Sequence, residues 1–405
     1  MLIRGAKARL IKDSRKASTI EVKIKTFRGT FSCSAPSGKS KGKNEVADFS
    51  DKGVRWSIKL ANIFLEKIEG KHVQIKKFDD IKIIEDKLRN FEKHYGTLGG
   101  NVFYAIEGAF LKAAAKERNQ ELWRFIKESD NPKIPLPIGN CIGGGLHTRS
   151  RLKKPDFQEF HLIAKDKNIS KAVSKNILAY YEARNKIRWK EKRLSIKTND
   201  ENALVCSLSN QEVLEVLREV AKKFDLHLGL DVAASSFFDG KNSYDYKNKR
   251  YLRDRDEQIE HISNLTNEFD LIYVEDPFDE EDFTAYKKLL DFVKETKKKT
   301  MVVGDDLTVT NLSRVKRANR INAINAIIVK PNQVGSLVEV KQVVEFCKQH
   351  KIKMIFSHRS GETMDNILAD YAVGFGADYI KTGLLGKERL IKLRRLIDID
   401  ESCKR

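Results

Sequence analysis

Nowhere in its 405 residues does this chain run eighteen apolar residues in a row, so no segment reads as a membrane-crossing helix. The opening stretch MLIRGAKARL lacks the apolar block of a secretory leader, and the expected location is the cytoplasm. Cysteine is sparse. Cys33, Cys141, Cys206, Cys347 and Cys403 are scattered, odd in number and form no CxxC pair, which argues against a zinc ribbon or a disulfide framework and fits a reducing compartment. No solenoid period, no long low-complexity tract and no RNA-binding motif is present. Acidic charge is outnumbered, with 77 Lys and Arg against 57 Asp and Glu, a net charge of +20. The excess is densest early, at 29 basic to 17 acidic residues over 1–134 and 48 to 40 over the rest. Such a field attracts anionic substrates and polyanions such as nucleic acid.

The length suggests two domains, or one barrel with an addition. Residues 1–134 read as an α+β unit. IRGAKARLIKD and TIEVKIKTF alternate like strands about an Asp13-Ser14-Arg15-Lys16 turn, and APSGKSKGKNE (35–45) is a loop. IFLEKIEGKHV, FDDIKIIEDKLRNFEKHYG and NVFYAIEGAFLKAAAKERNQELWRFI carry apolar residues at helical steps. Asn131-Pro132 and the prolines at 135 and 137 mark a boundary, and residues 135–405 read as an α/β barrel. From residue 200 onward strands alternate with helical stretches, among them SNQEVLEVLREVAKKF and GSLVEVKQVVEFCKQH.

What the second part does have is a repeated pattern. Six apolar runs each end in one polar residue: Asp231, Glu275, Asp305, Lys330, His358 and Lys381. The spacings of 44, 30, 25, 28 and 23 residues each hold one strand, one helix and two loops. A barrel of parallel strands carries its chemistry at the carboxyl ends of those strands, so these side chains are expected on one rim. Asp231, Glu275 and Asp305 are hard oxygen donors suited to magnesium. Asp276, Asp279 and Asp306 fit turn formers or helix caps equally well. Lys330 or Lys381 could act as a base if nearby positive charge lowers its pKa. Arg359 and Ser360, with a glycine behind them, suit a phosphate or carboxylate. Glu159, Asp200 and Glu201 are the remaining acids, one of which could donate a proton on the face opposite the base. Read alone, the Asp200-Glu201 pair is equally a surface feature, and His147 equally an ordinary loop histidine.

These residues sit in longer motifs. SHRSGET (357–363), VEDPFDEED (274–282), GDDLTVTN (304–311), KPNQVGS (330–336), GLDVAASSFF (229–238), IKTG (380–383) and PSGKSKG (36–42) resemble the enolase family along nearly the whole chain. The resemblance implies a modified (β/α)8 barrel with an N-terminal α+β capping domain, forming a homodimer or a higher homo-oligomer. It implies a carbon–oxygen lyase, phosphopyruvate hydratase (EC 4.2.1.11), which interconverts 2-phosphoglycerate and phosphoenolpyruvate in glycolysis with Mg2+. A lysine or histidine base beside one or two magnesium ions is the general description of such sites, so that pairing belongs to the family. Matched residue by residue, Asp231, Glu275 and Asp305 would hold magnesium, and Ser40 on the mobile loop would help hold a second. Lys330 would be the base and Glu201 the acid, with Glu159 beside it. Lys381 would assist the substrate carboxylate, Arg359 and Ser360 would bind the phosphate, and Gln158, His147 and His358 would line the pocket.

Three loops depart from the family. Where its acid loop reads DEGGFAP, this chain has DENALVC (200–206), losing two glycines. The histidine loop, usually GGSHAGN and soon QEF, is GGGLHTRSRLKKPDFQEF, with three extra residues and four basic side chains between His147 and Gln158. The first lid has Lys39 and Lys41 within PSGKSKG, where PSGASTG is usual. Two alternatives stay open at this point. One is an enolase-like enzyme for another phosphorylated or larger carboxylic acid. The other is a weakly active or inert paralogue that binds RNA or another polyanion through its basic surface.

Overall fold

In the computed structural model, residues 1–39, 42–127, 132–148, 153–192 and 195–404 are described. The first unit opens with an antiparallel meander of β1 (Gly5–Lys12), β2 (Ser18–Thr26) and β3 (Gly29–Ser34). Ile20, Val22 and Ile24 of β2 alternate inward and are fully buried. Helices Val54–Glu66, Lys82–Tyr95 and Gly100–Glu117 pack alongside, the last burying nearly its whole Ala-rich length. The sequence reading missed β3, whose GTFSCS carries little alternation. It also ran two helices too long. The first stops at Glu66, and the third breaks at Asn119, whose φ of 53° takes the chain out of the helix before Leu122–Lys127.

Eight strands close the barrel: β4 (Leu136–Gly143), β5 (Glu159–Ala164), β7 (Leu226–Asp231), β10 (Tyr273–Glu275), β11 (Met301–Gly304), β12 (Ala326–Val329), β13 (Lys353–Ser357) and β14 (Tyr379–Lys381), with β14 pairing back to β4. A two-residue strand, β6 (Leu204–Val205), pairs beside β4. A hairpin of β8 (Ser243–Tyr246) and β9 (Tyr251–Asp254) projects between β7 and the next helix and was not expected.

The ring is not wholly parallel, as the strand-end argument had assumed. β5 runs antiparallel to both β4 and β7. Its amino end therefore lies at the rim where its neighbours end, and Glu159 pairs with Asp231 and with Gly143. A strand entered in reverse delivers its first residue, rather than its last, to the site.

Ile138, Ile163, Tyr273, Met301, Val303, Ala326, Ile328 and Ile355 form a separate buried cluster. Because side chains alternate along a strand, the residue two steps beyond an inner residue points the same way. Tyr273 is followed so by Glu275, Val303 by Asp305, and Ile328 by Lys330. The apolar layer is thus the floor on which the charged residues stand.

The first unit docks on this rim. The backbones of Ser37 and Gly361 exchange hydrogen bonds of 2.8 and 2.9 Å. Asn332 donates to the Pro36 carbonyl at 3.2 Å and to Asn101 at 3.0 Å, and buried Glu107 accepts from the Leu337 amide at 2.7 Å. No helix among the described residues is long and apolar enough to cross a membrane.

Candidate active site

A cavity of about 440 Å³ opens at the rim, lined by Lys39, His147, Gln158, Glu159, Glu201, Asp231, Asp305, Lys330, His358, Arg359, Ser360 and Lys381, among others. Glu275 lies fully buried beside it, its neighbour Lys381 lining the wall. Every expected site residue among the described ones is therefore gathered at one place. Ser40 lies outside the described residues, as do Arg151 and three neighbours of the altered histidine loop.

Register brings the first carboxylates together. Parallel β7 and β10 pair Asp231 with Glu275, and Asp305 stands just past β11. Lys381 reaches Glu275 at 2.8 Å, Asp231 at 3.1 Å and Glu159 at 3.2 Å. Lys330 pairs with Asp305, and Gln333 donates to the other oxygen of that carboxylate at 3.2 Å. Tyr273 donates to Glu275. The ammonium groups thus stand between carboxylates that are otherwise mutually repulsive.

Burial pushes the Glu275 carboxyl well up, and the Asp231 charge pushes it further. Burial works against the charge of Asp305 too, but adjacent Lys330 holds its carboxyl below the ordinary range. Lys330 answers in kind. Burial pulls its ammonium down, yet Asp305 outweighs this, with Arg359 and Lys381 opposing, and the pKa stands above its usual value. The sequence reading expected nearby positive charge to lower it, and in this arrangement the carboxylate wins. Lys381 is raised further still, against burial, by Asp231, Glu159 and Glu275.

The donor set fits a divalent cation. Six acids against four Lys and Arg line the cavity, and Glu275 adds a further carboxylate. One oxygen of Glu275 is buried without a hydrogen-bond partner among the described residues. Hard oxygens with excess negative charge are what magnesium requires. A tighter grouping also occurs. Asp276, Asp305 and Asp306 bring carboxylate oxygens within 4.8 Å of one another, as do His147, Glu159 and Glu201 with their ligand atoms.

Asp276, which suits a turn former or a helix cap, does organise backbone. Its oxygens accept from the Asp305 amide at 3.0 Å, the Asp306 amide at 2.7 Å and the Tyr286 hydroxyl at 2.9 Å. Burial, with Asp305 and Asp231, pushes its carboxyl up to about 7. Asp276, Ala233, Val309 and Thr310 all hold positive φ, between 42° and 55°. Conformations so unfavourable for non-glycine residues cost roughly 1–3 kcal/mol each and persist where surrounding bonds enforce them. Here Thr310 is held by a 2.7 Å bond to Gln333 and a 3.0 Å bond from the Lys330 amide.

Loops supply the opposite wall. His147 Nδ1 lies 3.1 Å from Glu159 and 3.4 Å from Glu201, and His358 Nε2 lies 3.7 Å from Glu201. Asn140 of β4 donates to Glu201 at 3.3 Å. Burial raises the Glu201 carboxyl, with His147 opposing and Glu159 assisting. Burial and Arg389 together push His358 well down. The loop that lost two glycines is shaped by asparagines instead. Asn202 takes the left-handed conformation (φ 63°), which asparagine tolerates better than most residues. Asn199 Oδ1 accepts from the amides of Glu201 and Ala203 at 2.9 and 3.0 Å, locking the turn.

The anion end is built around Arg359. It pairs with Glu45 at 2.8 Å and reaches Asn332 at 3.4 Å, while Arg15 donates to Ser360 at 3.0 Å. Gly38 presses on it so closely that a Cβ there would fall 2.0 Å from a guanidinium nitrogen. Lys39 reaches Asp200 at 3.4 Å, linking the first lid to the acid loop. Arg15, Glu45, Asn140, Asn332, Gln333 and Arg389 were not singled out from sequence. Asn332 and Gln333 sat within a quoted motif, but only folding joins the others to it.

A family model described as "Enolase, C-terminal TIM barrel domain" matches residues 131–404, and one described as "Enolase, N-terminal domain" matches residues 3–126. A protein named enolase from Methanosphaera stadtmanae is 36% identical over 99% of this chain and 97% of its own length. Another from Pyrobaculum aerophilum is 38% identical over 91% of this chain and 87% of its own. That from Picrophilus torridus is 33% identical over 98% of each.

Proposed function

The chain belongs to the enolase family, and on that premise we propose that it is a phosphopyruvate hydratase that dehydrates 2-phosphoglycerate reversibly to phosphoenolpyruvate with Mg2+. The observation that carries this reading is the disposition of two groups in one cavity. Lys330 follows β12, Glu201 is bonded to β4, and these strands stand three steps apart around the eight-stranded ring. A base and an acid so separated can face opposite sides of one small substrate.

In this reading Lys330 acts as the neutral amine, which requires that Asp305 be engaged by another cation. It takes the proton from C2, and the C2–C3 double bond forms as the C3–oxygen bond breaks. Glu201, kept protonated to higher pH by burial, gives its proton to the departing hydroxyl, which leaves as water. His147 and Glu159 hold Glu201 in position. Arg359 and Ser360 receive the phosphate, and Lys381 faces the carboxylate. Asp231, Glu275 and Asp305 would hold magnesium, with Ser40 helping to hold a second ion. The metal supplies positive charge against the doubly negative carboxylate formed when C2 is deprotonated.

The division between capping unit and barrel is proposed at residues 134 and 135, ahead of β4. Four of the five cysteines are buried, which suits a reducing cytoplasm, and the family reading carries a homodimer or larger homo-oligomer, which light scattering would measure. Purified protein incubated with 2-phosphoglycerate and magnesium should generate the ultraviolet absorbance of the enol product. A folded, magnesium-binding protein that produces none removes the reading.

A further inference from the structure

The flank of the barrel beside the histidine loop carries cations that this reaction does not use. Two adjoining concavities, of about 850 and 1040 Å³, share Asp245 and Lys247. The first runs along Leu146, Lys153, Lys154 and Phe237, and the second along Arg250, Tyr251 and Leu252 of the unexpected hairpin. Asn248 ties the neighbouring segments together. Its side chain donates to Lys154 O at 2.8 Å, Leu208 O at 3.1 Å and Ser207 O at 3.4 Å. Ser207 in turn donates to Glu191 at 2.7 Å, at the end of helix Ile169–Lys190. The groove and the basic end of that helix therefore form one surface.

On that surface Trp189 is 83% exposed, next in sequence to Arg188 and Lys190 and close to Lys192. Leu252 and Leu146 are 65% and 53% exposed. Among the described residues, Lys153, Arg188, Lys192, Lys247 and Arg250 have no carboxylate within 4 Å. Of the acids nearby, three are committed. Asp156 accepts the amides of Lys247 and Asn248 at 2.8 and 3.1 Å, Glu212 caps Ser209, and Glu215 faces Lys190 at 3.9 Å. Asp245 is left facing the groove.

We propose that this flank binds single-stranded RNA, its phosphates running along Lys153, Lys247, Arg250 and Lys192, and its bases stacking on Trp189 and the apolar side chains of the groove. Cations alone would suit any polyanion. An exposed indole set among cations suits unstacked bases, because every base has a π face and an acidic peptide has none. A duplex, whose bases are already stacked, would make no use of it. The inference does not depend on the catalytic reading, and it locates polyanion binding away from the charge-dense first 134 residues.

The test is fluorescence anisotropy of a labelled oligouridylate with the full chain at increasing potassium chloride. Affinity should fall with salt by about 0.7 log units per log unit of salt for each phosphate neutralised. Lys247→Ala with Arg250→Ala should shrink that slope by about 1.4, and Trp189→Ala should weaken binding about tenfold while Trp189→Phe retains most of it. Lys7→Ala with Lys25→Ala, an equal loss of charge on β1 and β2, should leave affinity unchanged. Thermal melting confirms that each variant is folded. Equal weakening by both double variants overturns the proposal, and so does indifference to Trp189→Ala. Polyglutamate competing as well as RNA would assign the flank to an acidic protein segment instead.

Discussion

One wall of the cavity, formed by β7, β10, β11, β12 and β14, holds its charged groups on strands or just past them, above a closed apolar layer. The other, formed by the loops around 143–148 and 199–206, holds His147 and Glu201 on backbone outside the barrel strands, with Glu201 braced by Asn140 and Asn199. On the first wall carboxylates are balanced by lysines, and on the second by histidines. The strand wall fixes where charge develops and what neutralises it. The loop wall fixes only where one proton is held. Errors of position are therefore costlier on the strands, and the three departures from the family motifs fall on loops.

Removing the base should give the largest effect. Lys330→Ala is expected to lower kcat by about 10³-fold in the assay for the enol product, within the range for a lost general base, with circular dichroism unchanged. A loss under tenfold would shift the proton transfer to another group and break the assignment of the strand wall. Next comes the metal. Magnesium at about 100 times its Kd should stabilise the native protein by about 2.7 kcal/mol, read as a higher melting midpoint. Glu275→Gln should abolish that rise. Without metal its melting midpoint should not fall, because the carboxyl removed is one that burial and Asp231 already disfavour. A preserved magnesium response would move the ion to the Asp276, Asp305 and Asp306 group.

Glu201→Gln should cost about 10²-fold in kcat, less than loss of the base, since the loop wall contributes one proton. The pH profile separates this role from a structural one. Burial raises the Glu201 carboxyl, so the protonated acid persists below that raised pKa and is lost as pH climbs through it. Wild-type dehydration should therefore decline on its alkaline limb, and the Gln variant, having nothing there to titrate, should not show that limb.

The same contrast explains what could be read without coordinates. Asp231, Glu275, Asp305, Lys330 and Lys381 were legible from periodicity alone, because a strand and its helix repeat at a set length and the rim follows. Glu159 was not, since nothing in DFQEFHLIA reports that β5 runs backward. Glu201 and His147 were indistinguishable from surface residues until family motifs singled them out. Asn202 shows why. The loop's shape depends on a left-handed residue and on two amides held by Asn199, a choice that apolar spacing does not encode. Arg15 and Glu45 meet the site only through docking of the first unit, across 345 and 314 residues of chain. The hairpin of β8 and β9 escaped because its four-residue strands carry too little pattern.

The smallest effect should come from the contact joining the changed loops. Lys39 lies 3.4 Å from Asp200, whose side chain is 38% exposed, and exposed pairs of this kind contribute roughly 0.2–1 kcal/mol. As a fastening the pair is weak. As a charge on the cavity wall, Lys39 adds to the field that meets an anionic substrate. Lys39→Ala should therefore raise KM about threefold and flatten its dependence on salt, leaving kcat nearly unchanged and melting indifferent. Asp200→Asn would break the same contact without removing the cation, so it should leave KM near its wild-type value. If instead both variants lower kcat together, the lid is held shut by the pair, and the loop wall takes a larger share of catalysis than its single proton suggests.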